Sequence, residues 1–238
     1  MIILPILMGS HVRASPIANE SSTQLQIGAG SKNNISMRPL SNIQLADEYY
    51  RHGIDMQSRG ETLAAITNFE HSLLLNKNDP AAAIALARLY YSNEDYQASI
   101  TLASDSLKLH PNSRELFIQL AHDYSALHLY KKVIKTLDGR PGTLGSEAQS
   151  SSLLAYAFIK TGEFTRASDI YHSLKLTQPK KPVWWLGSAI ALEGSGDIEK
   201  ALLAYVDLKE QYSLSKTLKH FVNSKIVSLH KQQQSSTR

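Results

Sequence analysis

The sequence predicts an all-α fold: a right-handed superhelical solenoid of five helix–turn–helix units closed by a C-terminal capping helix. Three columns of residues in one register predict it. Gly53, Ala87, Ala121, Ala155 and Ala189 are all small and lie 34 residues apart. Seven places on in the same frame stand Gly60, Glu94, His128, Gly162 and Gly196, and five beyond those Ala65, Ser99, Val133, Ala167 and Ala201. Self-similarity at such a period marks stacked supersecondary units. Each unit buries its apolar faces only against its neighbours.

Taken in order, the units run 46–79, 80–113, 114–147, 148–181 and 182–215. In each, the first helix (A) carries large residues around the small one: Leu86 and Tyr90 about Ala87, Leu120 and Tyr124 about Ala121, Leu154 and Phe158 about Ala155. That spacing makes one apolar stripe, and the small residue lets the second helix (B) approach closely. Helix B opens on an aromatic or apolar residue (Tyr96, Tyr130, Phe164, Ile198) and later presents Phe69, Ala103, Leu137, Tyr171 and Tyr205 in one column. Pro80 and Pro182 each open a unit, where a missing backbone N–H costs nothing. The third unit is irregular, its helix B ending at the turn-rich run Asp138-Gly-Arg-Pro-Gly142. Beyond the fifth, Leu218, Phe221, Val222, Ile226 and Leu229 form the apolar face of a terminal helix, the cap a solenoid requires.

Upstream the pattern is absent. Residues 1–14 hold a short apolar stub, Ile2-Ile-Leu-Pro-Ile-Leu-Met8, read as the remnant of a truncated anchor or signal, or else as an unstructured N-terminus. It is too short to span a bilayer, which takes about 20 apolar residues. Residues 15–44 read as a flexible polar linker, 45–231 as the array with its capping helix, and 232–238 as a disordered tail. Gly28-Ala-Gly-Ser-Lys32 has neither the spacing nor the preceding strand of a phosphate loop.

Composition sets limits on function. Of the 238 residues 42% are hydrophobic and 19% charged, with a net charge of +4. The lysines are spread out, with small groups at Lys131, Lys132 and Lys135 and at Lys175, Lys180 and Lys181. No basic stretch is interleaved with stacking aromatics, so nucleic acid is not an expected partner. Without cysteine there is no disulfide or thiolate chemistry. Histidines do not pair at metal-ligand spacing, and no nucleophile elbow or dinucleotide fingerprint occurs. The expectation is therefore a chain that is not an enzyme and has no cofactor or metal.

The columns resemble the tetratricopeptide (TPR) repeat. Unit five fits with Trp185, Ala189, Gly196, Ala201 and Tyr205, unit four with Ala155, Phe158, Gly162, Ala167, Tyr171 and Pro179, and unit one with Tyr49, Gly53, Gly60, Ala65 and Phe69. Units two and three depart at Glu94, His128 and Val133. A narrower stretch, Pro182-Val-Trp-Trp-Leu-Gly-Ser-Ala-Ile-Ala-Leu-Glu followed by Gly196-Asp-Ile-Glu-Lys-Ala-Leu-Leu-Ala-Tyr205 and a helix with Leu218 and Phe221-Val222, is similar to the C-terminal half of the MshN family of MSHA-type pilus biogenesis proteins. That likeness implies a non-catalytic scaffold assisting type IV pilus biogenesis in the bacterial envelope, on the periplasmic side of the inner membrane. It implies pilus-assembly components as partners, with membrane attachment only through a missing or truncated N-terminal anchor. The alternatives are a cytoplasmic TPR adaptor, or the accessory repeat domain of an enzyme whose catalytic part lies outside this chain.

In this architecture the A helices line the concave surface, and offsets between the core positions point there. They select Tyr50, Arg51 and Ile54 in unit one, Ile84, Arg88 and Tyr91 in unit two, and Ile118, Gln119 and His122 in unit three. Tyr156, Ile159 and Lys160 follow in unit four, with Ile190 and Glu193 in unit five. Aliphatic and aromatic bodies with a few donors suit an extended peptide or partner helix. The clamp that TPR adaptors use for acidic chaperone tails is not expected, because its offsets hold Tyr50, Ile54, Ala85, Glu115 and Gln119. Of the adjacent tryptophans, Trp185 falls in a core column, which leaves Trp184 as the candidate for an unusual contact, either with the neighbouring unit or with a partner. Leu129 and Leu144 are candidates for weak self-association.

Overall fold

The structure is a computed structural model that describes residues 39–139 and 148–236. The apolar stub, the glycine-rich run at 28–32, most of the expected linker, Leu144 and the last two residues lie outside the described residues. The chain divides between Pro39 and Leu40, and the second unit holds every described helix.

The A helices are α1 (Asn42–Ser58), α3 (Pro80–Ser92), α5 (Arg114–Ala126), α7 (Ala148–Thr161) and α9 (Pro182–Gly194). The B helices are α2 (Thr62–Leu75), α4 (Tyr96–Leu109), α6 (Tyr130–Leu137), α8 (Phe164–Thr177) and α10 (Ile198–Gln211), and α11 (Lys216–Ser236) follows. Consecutive helices pack in sequence order, and α3, α5, α7 and α9 also pack one on the next. An inner row of A helices is thereby laid side by side. No strand occurs among the described residues. The expected all-α solenoid, its register and its cap are all present.

Local chemistry explains the boundaries. Ser41 and Gln44 form a capping box: the Ser41 hydroxyl accepts the Gln44 N–H at 3.3 Å and the Gln44 side chain accepts the Ser41 N–H at 2.9 Å. Helix α1 therefore begins inside the expected linker. At the other end, α11 runs to Ser236, into the stretch expected to be a disordered tail. Gln232, Gln233 and Gln234 are good helix formers, and extending a helix needs no new nucleus. Pro80 sits at the first turn of α3 behind Asp79, whose carboxylate accepts the Ala81 N–H at 2.8 Å.

The repeating columns have a packing cause. A methyl group on Gly53 would lie 2.6 Å from the ring of Phe69, which is itself fully buried. Where alanine stands in that column, at Ala87, Ala121, Ala155 and Ala189, it is wholly inaccessible. The turn column is left-handed throughout, with φ of 77° at Gly60, 63° at Glu94, 58° at His128, 84° at Gly162 and 82° at Gly196. A side chain in that conformation is strained, so Glu94 and His128 hold a shape that glycine adopts freely. Glu94→Gly is expected to stabilise the protein by about 0.5–1 kcal/mol and Gly162→Ala to destabilise it by about 1 kcal/mol. Urea unfolding of the two variants beside the parent reads both, and a loss in Glu94→Gly would contradict the argument.

Unit three is the short one: α6 has 8 residues where the other B helices have 14. Helix α11 covers α10 through Val222 and Leu229, which are buried together with Tyr205 and Leu208. Phe221, expected on that same face, is 37% exposed and meets the Tyr205 ring edge-on at 6.4 Å.

Candidate functional site

Helices α3, α5 and α7 enclose a hollow of about 360 Å³ on the A-helix face. Arg88 enters from α3, Glu115, Ile118, Gln119 and His122 from α5, and Gln149 from α7. Glu115 stands a turn before Ile118 on α5 and so shares its face, and Gln149 holds the same column on α7. They were not among the expected groove residues. The signal for Glu115 was present, since the residue three before a groove position lies on the same side of a helix.

The polar groups here are not equivalent. Arg88 is exposed and makes no ion pair among the described residues, so its guanidinium stands free at the rim. His122 is half-buried, and its pKa is pushed below the usual imidazole value, chiefly by burial and then by the charge of Arg88. It is neutral at physiological pH, with one ring nitrogen to donate and one to accept. Tyr91 meets the His122 ring at 6.2 Å and Tyr96 at 5.3 Å, both edge-on. At neutral pH the hollow thus offers a free cation, a carboxylate, a neutral imidazole and two side-chain amides beside one isoleucine. That donor set can hold the backbone and side chains of a peptide.

Further along the row Tyr156 is 40% exposed, and Lys160 Nζ lies 5.3 Å from its ring. Ile159 is half-buried against the core, and Ile84 packs beside Ala103, Leu116 and Leu120. At the other end Tyr50 leans on Phe69 with ring centroids 5.8 Å apart, Ile54 is 42% exposed, and Arg51 pairs with Asp47 one turn away. In unit five Ile190 packs into the terminal core, while Glu193 accepts from Tyr205 at 2.8 Å and from Lys225 at 2.6 Å. Those two bonds tie α9 to α10 and α11.

Two expected groove residues are buried. Gln119 is 5% exposed, and its side-chain NH₂ donates to Asp123 at 3.3 Å and to Ser99 at 3.4 Å. The amide touches the floor of the hollow but is engaged from behind. Trp184 is 7% exposed and packs among Tyr171, Leu174 and other core residues. Its column in units two to four reads Ala82, Leu116 and Ser150, all wholly inaccessible, because that side of helix A lies on the B helix of the preceding unit, while Glu48 of unit one is exposed. Of the two contacts expected for Trp184, it is thus the one with the neighbouring unit that the structure shows. Trp185 is partly buried against the terminal core, its indole N–H donating to the Pro179 carbonyl at 3.2 Å with Lys175 Nζ 4.8 Å from its ring.

Comparison with models of known protein families gives no match, and comparison with curated proteins gives none either. Many solved structures share the fold. MamA from Desulfovibrio magneticus RS-1 is 18% identical with a TM-score of 0.64, over 69% of this chain and 93% of that one. YrrB, described as a TPR protein with an unusual peptide-binding site, is 15% identical with a TM-score of 0.63, over 69% of this chain and 85% of that one. PilF from Pseudomonas aeruginosa is 15% identical with a TM-score of 0.63, over 81% of this chain and 92% of that one. At such identities the likeness is one of fold. The molecule has the architecture of an all-α tetratricopeptide-type solenoid, with a polar hollow on its row of A helices.

Proposed function

We propose that this chain is a non-catalytic protein-interaction scaffold that takes an extended peptide or partner helix along its A-helix row. The observation that carries the reading is the hollow between α3, α5 and α7, where Arg88 stands unpaired beside His122 and Ile118. A free guanidinium next to an apolar body is what a binding surface presents and a folding core avoids. The peptide-binding site named for YrrB, on the same fold, supports the same use. More narrowly, we propose that the scaffold assists assembly of a type IV, MSHA-like pilus on the periplasmic side of the bacterial inner membrane. The likeness of residues 182–222 to the MshN family supports that narrower reading.

The test is site-specific photocrosslinking in native cells, with the probe at Arg88 or Tyr156 and an outer-face control at His172 on α8. The same envelope protein captured from both groove positions, and lost when Ile118→Asp is added, is the expected result. Equal capture from His172 would remove the groove from consideration. Groove capture of soluble cytosolic proteins alone would replace the pilus reading with a cytoplasmic adaptor.

A further inference from the structure

A different corner of the molecule breaks two local rules at once. The turn between α5 and α6 places His128 in the left-handed region at φ 58°, where three of the five units have glycine. Immediately after it, Lys131 and Lys132 stand in the first turn of α6, which has no capping side chain and no acidic residue there. The N-terminal end of a helix carries partial positive charge, so cations there oppose the dipole. Lysine is thus electrostatically the wrong choice for folding at these positions. Such local conflicts collect at functional sites.

Ring faces, not carboxylates, are what the described residues offer that charge: Lys132 Nζ lies 5.2 Å from the Tyr124 ring and Lys160 Nζ 5.3 Å from the Tyr156 ring. Lys131, Lys132, Lys135 and, across the gap on α7, Lys160 make no ion pair among the described residues. The nearby carboxylates of Asp138 and Glu163 are both held by Arg166, at 2.7 and 3.0 Å. Between the lysines lies a recess of about 510 Å³, with His128, Leu129, Tyr130 and Lys160 in its wall. The wall is pre-built: His128 Nδ1 and the Tyr130 hydroxyl are 2.9 Å apart, and Tyr130 meets Tyr156 edge-on at 5.8 Å. Leu129 stays 38% exposed beside them.

From this geometry we infer that the α5–α6 corner docks an acidic segment of a partner protein, its carboxylates on Lys131, Lys132 and Lys160 and an apolar side chain against Leu129 and Tyr130. Charge complementarity selects the occupant. A recess with an apolar wall fits a side chain, whereas a flat bilayer surface cannot enter it. The two tyrosines pack against each other and so leave no open ring pair for stacked bases. The site takes Lys160 from the A-helix row but shares no lining residue with the hollow between α3, α5 and α7, and stands whether or not that hollow binds a partner.

Fluorescence anisotropy of the purified full chain tests it, using a labelled oligo-glutamate peptide with one central phenylalanine. The probe is expected to bind, to weaken as salt is raised, and to lose at least about tenfold in affinity in Lys131→Glu/Lys132→Glu/Lys160→Glu. The equally charged control Lys216→Glu/Lys219→Glu/Lys231→Glu, on α11, keeps affinity to within about twofold, and so does the groove variant Arg88→Ala/Ile118→Asp. Circular dichroism confirms that every variant is folded. No binding by the parent chain, equal loss in the α11 control, or loss in the groove variant would overturn the assignment. So would equal binding of the glutamine counterpart of the peptide, or tighter binding to phosphatidylserine vesicles or oligo-dT.

Discussion

Trp184→Ala is expected to destabilise the protein by about 3–5 kcal/mol, and Trp185→Ala by only about 1 kcal/mol. Trp184 is 7% exposed and packs against Tyr171 and Leu174 of α8, so truncation opens a cavity between units four and five. The units of a solenoid are held by their interfaces, so that cavity weakens the coupling of the whole C-terminal part to the rest. Trp185 loses a hydrogen bond to Pro179, contacts with Lys175 and Tyr212, and a packing against the terminal core that is only partly buried. Denaturant unfolding of the two single variants decides the matter. Equal losses, or a larger one at Trp185, would return the tryptophans to the roles the repeat column gave them.

Asp123→Asn is expected to stabilise the protein by about 3 kcal/mol at neutral pH. Asp123 is wholly inaccessible, and burial pushes its pKa from 3.8 up to about 6 despite hydrogen bonds from Ser99 and Gln119 that act the other way. The folded state therefore holds the proton more tightly than the unfolded chain does. Stability from this group is fully present below about pH 4 and is lost as pH rises through about pH 6, beyond which it is level. Asparagine keeps the partners: its carbonyl accepts from Gln119, its NH₂ donates to the Ser99 oxygen, and the Ser99 hydroxyl still donates to the Ala87 carbonyl at 3.0 Å. Urea midpoints measured from pH 4 to pH 8 should fall in the parent and stay flat across that step in the variant. A parallel fall in both would show that Asp123 does not carry the dependence.

Much of the architecture was legible because its causes are local and repeated. The columns of Gly53 and Gly60 recur since every unit solves the same two problems, a close approach of helix B to helix A and a left-handed turn. The candidate site was legible in part. Arg88, Ile118, His122, Tyr156 and Lys160 were selected by offset, and the structure places all five on the A-helix row or its rim. Glu115 was legible from its spacing to Ile118 on one helix, whereas Gln149 stands a turn before no selected position and only the packing of three helices brings it to the same hollow.

By itself the sequence determined the fold class, the five-unit register, the small and left-handed columns, the early end of α6 and the capping helix. Each of these follows from periodicity and turn chemistry within a single unit. Tertiary structure alone decided which tryptophan is buried, that Gln119 is engaged from behind by Asp123 and Ser99, and that Lys160 comes to face Lys131 and Lys132. Those facts depend on the angle at which one unit meets the next. A one-residue difference around a helix turns a side chain by about 100°, from partner-facing to core, and only the packed neighbour settles which side it lands on.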